Sequence, residues 1–462
     1  MTENRMTRRG LCLVAFFVLT CLLPPFVHAT GDSGPDFATF QGATMGTTYT
    51  VKVSDPPSSD AALDKRWFER TAASIDRELR SVNDQMSTYL KSSELSQFNN
   101  SDSTDWFPVS DATAEVVLLA LEIGEKSGGL FDVTVGPLVD RWSFGPGERQ
   151  HDVPDEAELA SIQKRTGQRH LHARLDPPAI KKDIADLRVD LSAIAKGHGV
   201  DRLVRLLNEA GLPNVFVEVG GEVRVTGTKR TPAGRQSWKV GIQKPDARVN
   251  QLALAHPMQD AAMATSGDYR NYFEVDGKRY SHTLNPTTGK PIEHSLASVT
   301  VIAESCAKAD GWATALNVAG LEPAMQLAKD QGLDTLLIHR INNPHGEDMI
   351  AFKVNGTGTM AEIAERMNAS SVFAQASMST SEGSFAERMM PILILTAAGF
   401  GAVLLAMAVG VIFGRKAISG SCGGLNATTD ADGTTRCSMC STPSDGCKEL
   451  RDKMAESEKL NA

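Results

Sequence analysis

Residues Met389–Gly414 make a run of 26 without one charged side chain. At about 1.5 Å per residue, such a run reaches across the ~30 Å of a bilayer's hydrocarbon as a helix. A segment of that kind divides a chain, because the parts on either side cannot share one core. Arg415 and Lys416 follow at once, and the positive-inside rule then puts residues 415–462 in the cytoplasm. A buried core helix is the other reading, and it asks for no basic stop. At the start, Arg5, Arg8 and Arg9 precede the apolar stretch Leu11–Pro24, with Val27-His28-Ala29 beyond. A basic start, a short apolar stretch and a small residue spell an export signal over residues 1–29, cut after Ala29. Lipid attachment at Cys21 is an alternative, with Thr20 standing where a smaller residue is expected. The expected address is the inner membrane, with everything from about Thr30 to Arg388 on the periplasmic side.

Composition narrows the function classes. Lys and Arg number 47 against 56 Asp and Glu, a net charge of −9, so no basic face for nucleic acid is expected. Apolar residues at 41% and charged residues at 22% exclude wholesale disorder. Seven cysteines in 462 residues are too few for a disulfide scaffold. Cys422, Cys437, Cys440 and Cys447 crowd the tail, where thiolates in a reducing compartment favour a metal over a disulfide.

Residues 37–355 alternate strand-like and helix-like stretches, an α+β pattern. Strands are predicted at Thr47–Val53, Ser237–Ile242 and Ser298–Ala303, and as a pair over Val215–Thr226 broken by Gly220-Gly221. Helices are predicted over Asp60–Ser81, Ala112–Lys126, Ala309–Val318 and Pro323–Asp330. Residues 356–388, rich in Ser, Gly, Ala and Met, read as a partly helical tether.

Four patches combine glycine, hydroxyl and carboxylate where packing alone does not ask for them. Gly42-Ala43-Thr44-Met45-Gly46-Thr47 is either a tight turn or a close backbone approach with Met45 against a flat ring. Gly128–Pro137, with Asp132 and Thr134, is turn chemistry or a polar edge for a sugar or base. In Val189–Gly197, a strand is predicted to pass into a helix starting near Ala193. Its amides and Lys196 suit a phosphate; Ser192 as a simple cap accounts for less. The fourth joins ATSGDY (264–269), YSHTLNPTTG (280–289) and ADGWAT (309–314). Asp310 and Thr314 are four apart, hence on one helix face, a hard-oxygen pair that suits Mg²⁺ and not Zn²⁺. Asp310 as a helix cap is the plainer alternative.

Taken together, TMGTTY, FDVTVGPLV, DLSAIAKG, EVGGE, ATSGDYRNYF, YSHTLNPTTGKP and AD.WATAL resemble the ApbE family of FAD:protein FMN transferases. The resemblance covers Phe37 to about Asn355 and implies a T-fold-like body. It also implies Mg²⁺-dependent cleavage of FAD, with FMN passed to a Thr hydroxyl of an acceptor protein and AMP released. Carried over by position, it puts flavin contacts on Met45, Tyr89, Leu130, Phe131, Asp132, Asp190, Lys196 and Leu284. It puts Mg²⁺ on the Ala193 carbonyl, Asp310 and Thr314. His282 is then the base, since a neutral imidazole suits that role; a core histidine bonded to backbone is the alternative. Leu130 replaces the family's usual Ala, and Asn285 stands where Asp is usual.

The block MAVGVIFGRK…GSCGGL (407–425) with the later cysteines resembles NqrM, a maturation factor of the Na⁺-pumping NADH:quinone reductase. That likeness implies iron handling by the tail and reductase subunits as flavin acceptors. Two rivals stand beside the transferase reading: an FAD pyrophosphatase releasing free FMN and AMP, and a non-catalytic flavin-binding scaffold.

Overall fold

The computed structural model describes residues 37–57, 61–146, 152–246, 251–269, 271–341 and 351–369, with 427–429 and 435–437 in the tail. An eight-stranded antiparallel sheet organises the first unit. Its strands run Phe37–Thr44, Thr47–Ser54, Val215–Val219, Glu222–Thr226, Ala261–Gly267, Leu296–Ala303, Asp334–Ile341 and Ala351–Thr357, neighbours in that order. Alternate residues feed opposite faces, as the pleat requires. Ala262 and Ala264 pack toward the helices, whereas Met263 packs into the cluster on the other face.

Helices Ala61–Met86, Asp111–Lys126, Ala195–Glu209 and Cys306–Ala319 cover the first face, filling it with Ile75, Val117, Val204 and Trp312 among others. The hairpin Trp238–Gln243/Leu252–Met258 and a helix Ala361–Ala369 cover the second, with Trp238, Val240 and Met367 inward. The folded body therefore runs past Asn355. Met360, Ala364 and Met367, all buried, are spaced as one face of a helix, and that periodicity sits inside the expected tether. A satellite cluster of Leu138, Trp142, Ile162, Phe273 and Leu284 holds the hairpin Tyr272–Val275/Lys278–Ser281.

The predicted strands and helices recur within a few residues of their expected ends. The segment before Ala195 does not. No strand occupies 186–190 and the helix begins two residues later than expected. The Asp190 carboxylate accepts from the Ser192 N–H at 2.7 Å, a local turn that competes with a strand. Ser192 is exposed and Ile194, not a hydroxyl, precedes the helix.

Two contacts lock the 195–209 helix to the 306–319 helix. The Asp201 carboxylate accepts from the Cys306 and Ala307 N–H groups, both at 2.9 Å, placing negative charge at the second helix's positive end. Gly197 lies against the same turn: a methyl there would stand 2.6 Å from the Cys306 carbonyl carbon and 2.7 Å from the Ala307 nitrogen. Because the obstacle is backbone, Gly197→Ala is expected to cost about 1–3 kcal/mol, as overpacking does. Urea denaturation of wild type and variant would check this.

Among the described residues no helix is long and apolar enough to cross a membrane. The expected span at 389–414 and the export signal lie outside the described residues. In the second unit, Ala427–Thr429 pairs antiparallel with Thr435–Cys437, setting Cys437 opposite Ala427. Cys422, Cys440 and Cys447 lie outside the described residues.

Candidate active site

Four chain segments meet at one end of the sheet: the turn at 44–47, the Gly220-Gly221 turn, the start of the 195–209 helix, and Asp310. A methyl on Gly220 would stand 2.9 Å from Thr47 Cγ2 and 3.3 Å from Lys196 Cδ. Glycine at that turn, with φ +64, is what lets Lys196 pass beneath it.

Lys196 Nζ lies 3.2 Å from Glu222 Oε1 and 3.6 Å from Asp310 Oδ2. Burial works against the lysine's charge, but Asp310 and Glu222 outweigh it and hold its pKa above the usual lysine value. Asp310 is 5% exposed. Burial raises its pKa well above the usual carboxylate range, against the pull of Lys196 and with the push of Glu222.

Asp310 is no cap of its own helix; Ser305 does that, accepting from the Lys308 N–H. Its Oδ2 instead accepts from the Gly197 N–H at 3.0 Å. Gly197 lies in the first turn of the helix that starts at Ala195, where N–H groups have no intrahelical acceptor, and the Asp310 carboxylate supplies one. Ala193 lies two residues before that helix. Thr314, half-buried, follows Asp310 by one turn of the same helix. Carbonyl, carboxylate and hydroxyl make an oxygen-only donor set of the kind hard cations take. Among the described residues, no three His, Cys, Asp or Glu side chains gather as a metal group.

His282 follows the Lys278–Ser281 strand and is half-buried. Its Nδ1 is 2.9 Å from the Asn271 carbonyl, which can only accept, so Nδ1 carries the proton and Nε2 a lone pair. Burial and the Lys196 charge lower its pKa, overcoming the Asn271 carbonyl and Asp268, which raise it. The ring is thus bonded to backbone on one side and basic on the other.

The sequence model described as the ApbE family matches residues 45–337. An FAD:protein FMN transferase of Vibrio cholerae serotype O1 is 45% identical over 297 residues, covering 64% of this chain and 86% of the relative. The chain belongs to the ApbE family. An FAD:protein FMN transferase of Salmonella typhimurium is 38% identical over 333 residues, covering 71% of this chain and 91% of that one. The solved flavin transferase ApbE of Vibrio cholerae superposes with TM-score 0.60 at 40% identity, over 70% of this chain and 98% of that one. The apo flavinyl transferase ApbE of Pseudomonas stutzeri gives TM-score 0.61 at 35% identity, over 72% and 98%. Residues 411–459 match the model described as (Na+)-NQR maturation NqrM.

The remaining residues expected from the ApbE likeness differ in what surrounds them. Met45 sits in the two-residue turn between the first strands with φ 50, a left-handed conformation uncommon for a non-glycine and often found at functional positions. Its sulfur would be 3.5 Å from a methyl on Gly199. Tyr89 is 67% exposed. Leu130 is half-buried, while Phe131 and Leu284 are buried in the core and satellite clusters. Asp132 is committed to protein: Oδ1 accepts from the Thr134 N–H and hydroxyl at 2.8 and 2.7 Å, and Oδ2 from the Gln168 N–H at 3.1 Å. Asp190 likewise closes its own turn. Asn285 accepts from the Thr287 and Thr288 N–H groups, a turn role that needs no charge.

Two functional features escape sequence reasoning. Glu222, within EVGGE, was legible only as part of a motif. Arg340 binds Asp268 at 2.7 Å through both terminal nitrogens and Asp246 at 2.8 Å through Nε. Arg279 donates to the Asp268 carbonyl at 2.7 Å and stacks over Tyr272. This ionic clamp secures the segment that carries His282, and its members lie 72 and 94 residues apart.

Proposed function

We propose that the chain is an FAD:protein FMN transferase that moves FMN from FAD to a Thr hydroxyl of an acceptor protein, with AMP as the other product. The observation that carries the reading is Asp310: buried, bonded to the Gly197 N–H, and facing Lys196 one helical turn from Thr314. The Ala193 carbonyl, Asp310 and Thr314 fit Mg²⁺ by donor chemistry and would hold it. When bound, Mg²⁺ supplies charge neutralisation for the diphosphate.

The chain's own groups do the rest. Lys196 offers a positive charge to the diphosphate, the role a point-charge ammonium fills. His282 Nε2 accepts the proton of the acceptor hydroxyl as its oxygen bonds to the FMN phosphorus and the phosphorus–oxygen bond to AMP breaks. Met45 and Leu130, both half-buried, would give apolar surface to a flavin ring. Hydrolysis would use the same groups with water in place of the hydroxyl. Incubating the protein with FAD, Mg²⁺ and a subunit of the Na⁺-pumping reductase separates the two. A mass gain of FMN on the subunit supports transfer; free FMN and AMP alone would replace it with hydrolysis.

The NqrM match supports a second task for the tail, iron delivery to the same reductase through Cys422, Cys437, Cys440 and Cys447. In this arrangement the span at 389–414 sits in the inner membrane, the transferase body in the periplasm and the cysteines in the cytoplasm. Cys422→Ser is expected to leave flavin transfer unchanged and to lower assembly of active reductase. Labelling of these cysteines in intact cells by an impermeant thiol reagent would overturn the topology.

A further inference from the structure

We propose that Glu222 is a further oxygen donor of the divalent-cation site, serving the cation through Oε2 either directly or across one bound water. The inference rests on the Mg²⁺-dependent reading above and adds to it a residue from a separate element.

Glu222 opens the Glu222–Thr226 strand and is 4% exposed. Oε1 faces Lys196 at 3.2 Å. Oε2 is buried and has no hydrogen-bond partner among the described residues. A buried carboxylate oxygen without a donor is costly, and a bound water or ion is one of the things that satisfies it. The neighbouring Glu218 does not share this state, since its Oε1 accepts from the Gly221 N–H at 2.7 Å.

Charge points the same way. Glu222 and Asp310 reach the single Lys196 ammonium from a strand and a helix, at 3.2 and 3.6 Å. Two carboxylates against one ammonium leave negative charge where water is largely excluded. A divalent cation restores the balance; a second ammonium or a guanidinium is absent from the cluster among the described residues. Oxygen-only donors select a hard cation, and Mg²⁺ keeps several waters that need acceptors. The Gly220-Gly221 turn brings the glutamate to this point while leaving room for Lys196.

The test is metal affinity of the full chain without FAD, with Mn²⁺ as probe and free Mn²⁺ read by electron paramagnetic resonance. Glu222→Gln is expected to weaken Mn²⁺ binding by about 10–100-fold, as loss of a supporting carboxylate does. The loss is expected to persist in about 1 M salt, where distant charges are screened. Unchanged affinity, or a loss that disappears in salt, would overturn the proposal and leave Glu222 as a partner of Lys196 alone. Should Glu222→Gln fail to fold, Glu222→Asp keeps the charge but retracts it by one methylene, and unchanged affinity there overturns the proposal equally. The two readings fail differently. Mn²⁺ binding lost in Asp310→Ala but intact in Glu222→Gln removes only Glu222, whereas no binding by wild type removes the metal-dependent reading itself.

Discussion

Asp310→Ala is expected to lower flavin transfer by about 10³-fold or more while the protein stays folded. At a metal-assisted phosphoryl centre of the kind proposed for this site, several kcal/mol of charge stabilisation would be at stake, and each ~1.4 kcal/mol is tenfold in rate. The substitution removes the carboxylate that faces Lys196 and takes the Gly197 N–H. Folding is expected to survive because the interhelical lock at Asp201 and the Cys306 and Ala307 amides is untouched. Asp310→Asn, which can still accept from Gly197, should be nearly as inactive, separating charge from hydrogen bond. Single-turnover assays beside circular dichroism decide it: near-normal rates in a folded variant would remove Asp310 from the chemistry.

His282→Ala is expected to slow transfer by roughly 10²–10⁴, the share of a positioned base, with FAD still bound. The pH profile carries the sign. A base works unprotonated, and the pKa of His282 is depressed by burial and Lys196. Its contribution is therefore complete above the ordinary imidazole value of about 6.5 and fades only as pH falls through its own lower value. Wild type is expected to show an acid limb from this group, and that limb should vanish in His282→Ala. If FAD binding disappears and transfer per bound flavin stays normal, the ring's bond to the Asn271 carbonyl is its whole role.

Local chemistry made much of this fold legible. The Gly220-Gly221 break, the Thr47–Ser54 strand and the Asp111–Lys126 helix, capped by Ser110, are written in adjacent residues. The pairing of Asp310 with Thr314 follows from helical spacing alone. What sequence reasoning missed is non-local or competes with a local signal. The late start of the 195–209 helix is tied to the Asp190 turn and to a Gly197 amide directed at a residue 113 positions away. Glu222 and Arg340 have roles that exist only once segments distant in the chain meet, a strand with two helices for Glu222 and a strand with the turns at Asp246 and Asp268 for Arg340. Some helix is expected within residues 356–388, but not that Ala361–Ala369 packs on the sheet through Ala364 and Met367, because the composition there resembles a tether.

The sheet's neighbours follow one another in chain order from Phe37–Thr44 to Ala351–Thr357. No strand has to be inserted between two already paired. As the polypeptide emerges during synthesis, each new strand meets a free edge made by its predecessor, even after a long insertion such as that between Ser54 and Val215. The unfinished edge advances with the chain until Ala351–Thr357 pairs on Asp334–Ile341. A product ending before that strand would bare Asp334–Ile341, whose Leu336, Leu337 and Ile338 are buried. Such an edge is a template for pairing with other chains, so premature termination there yields aggregation rather than a shortened soluble enzyme.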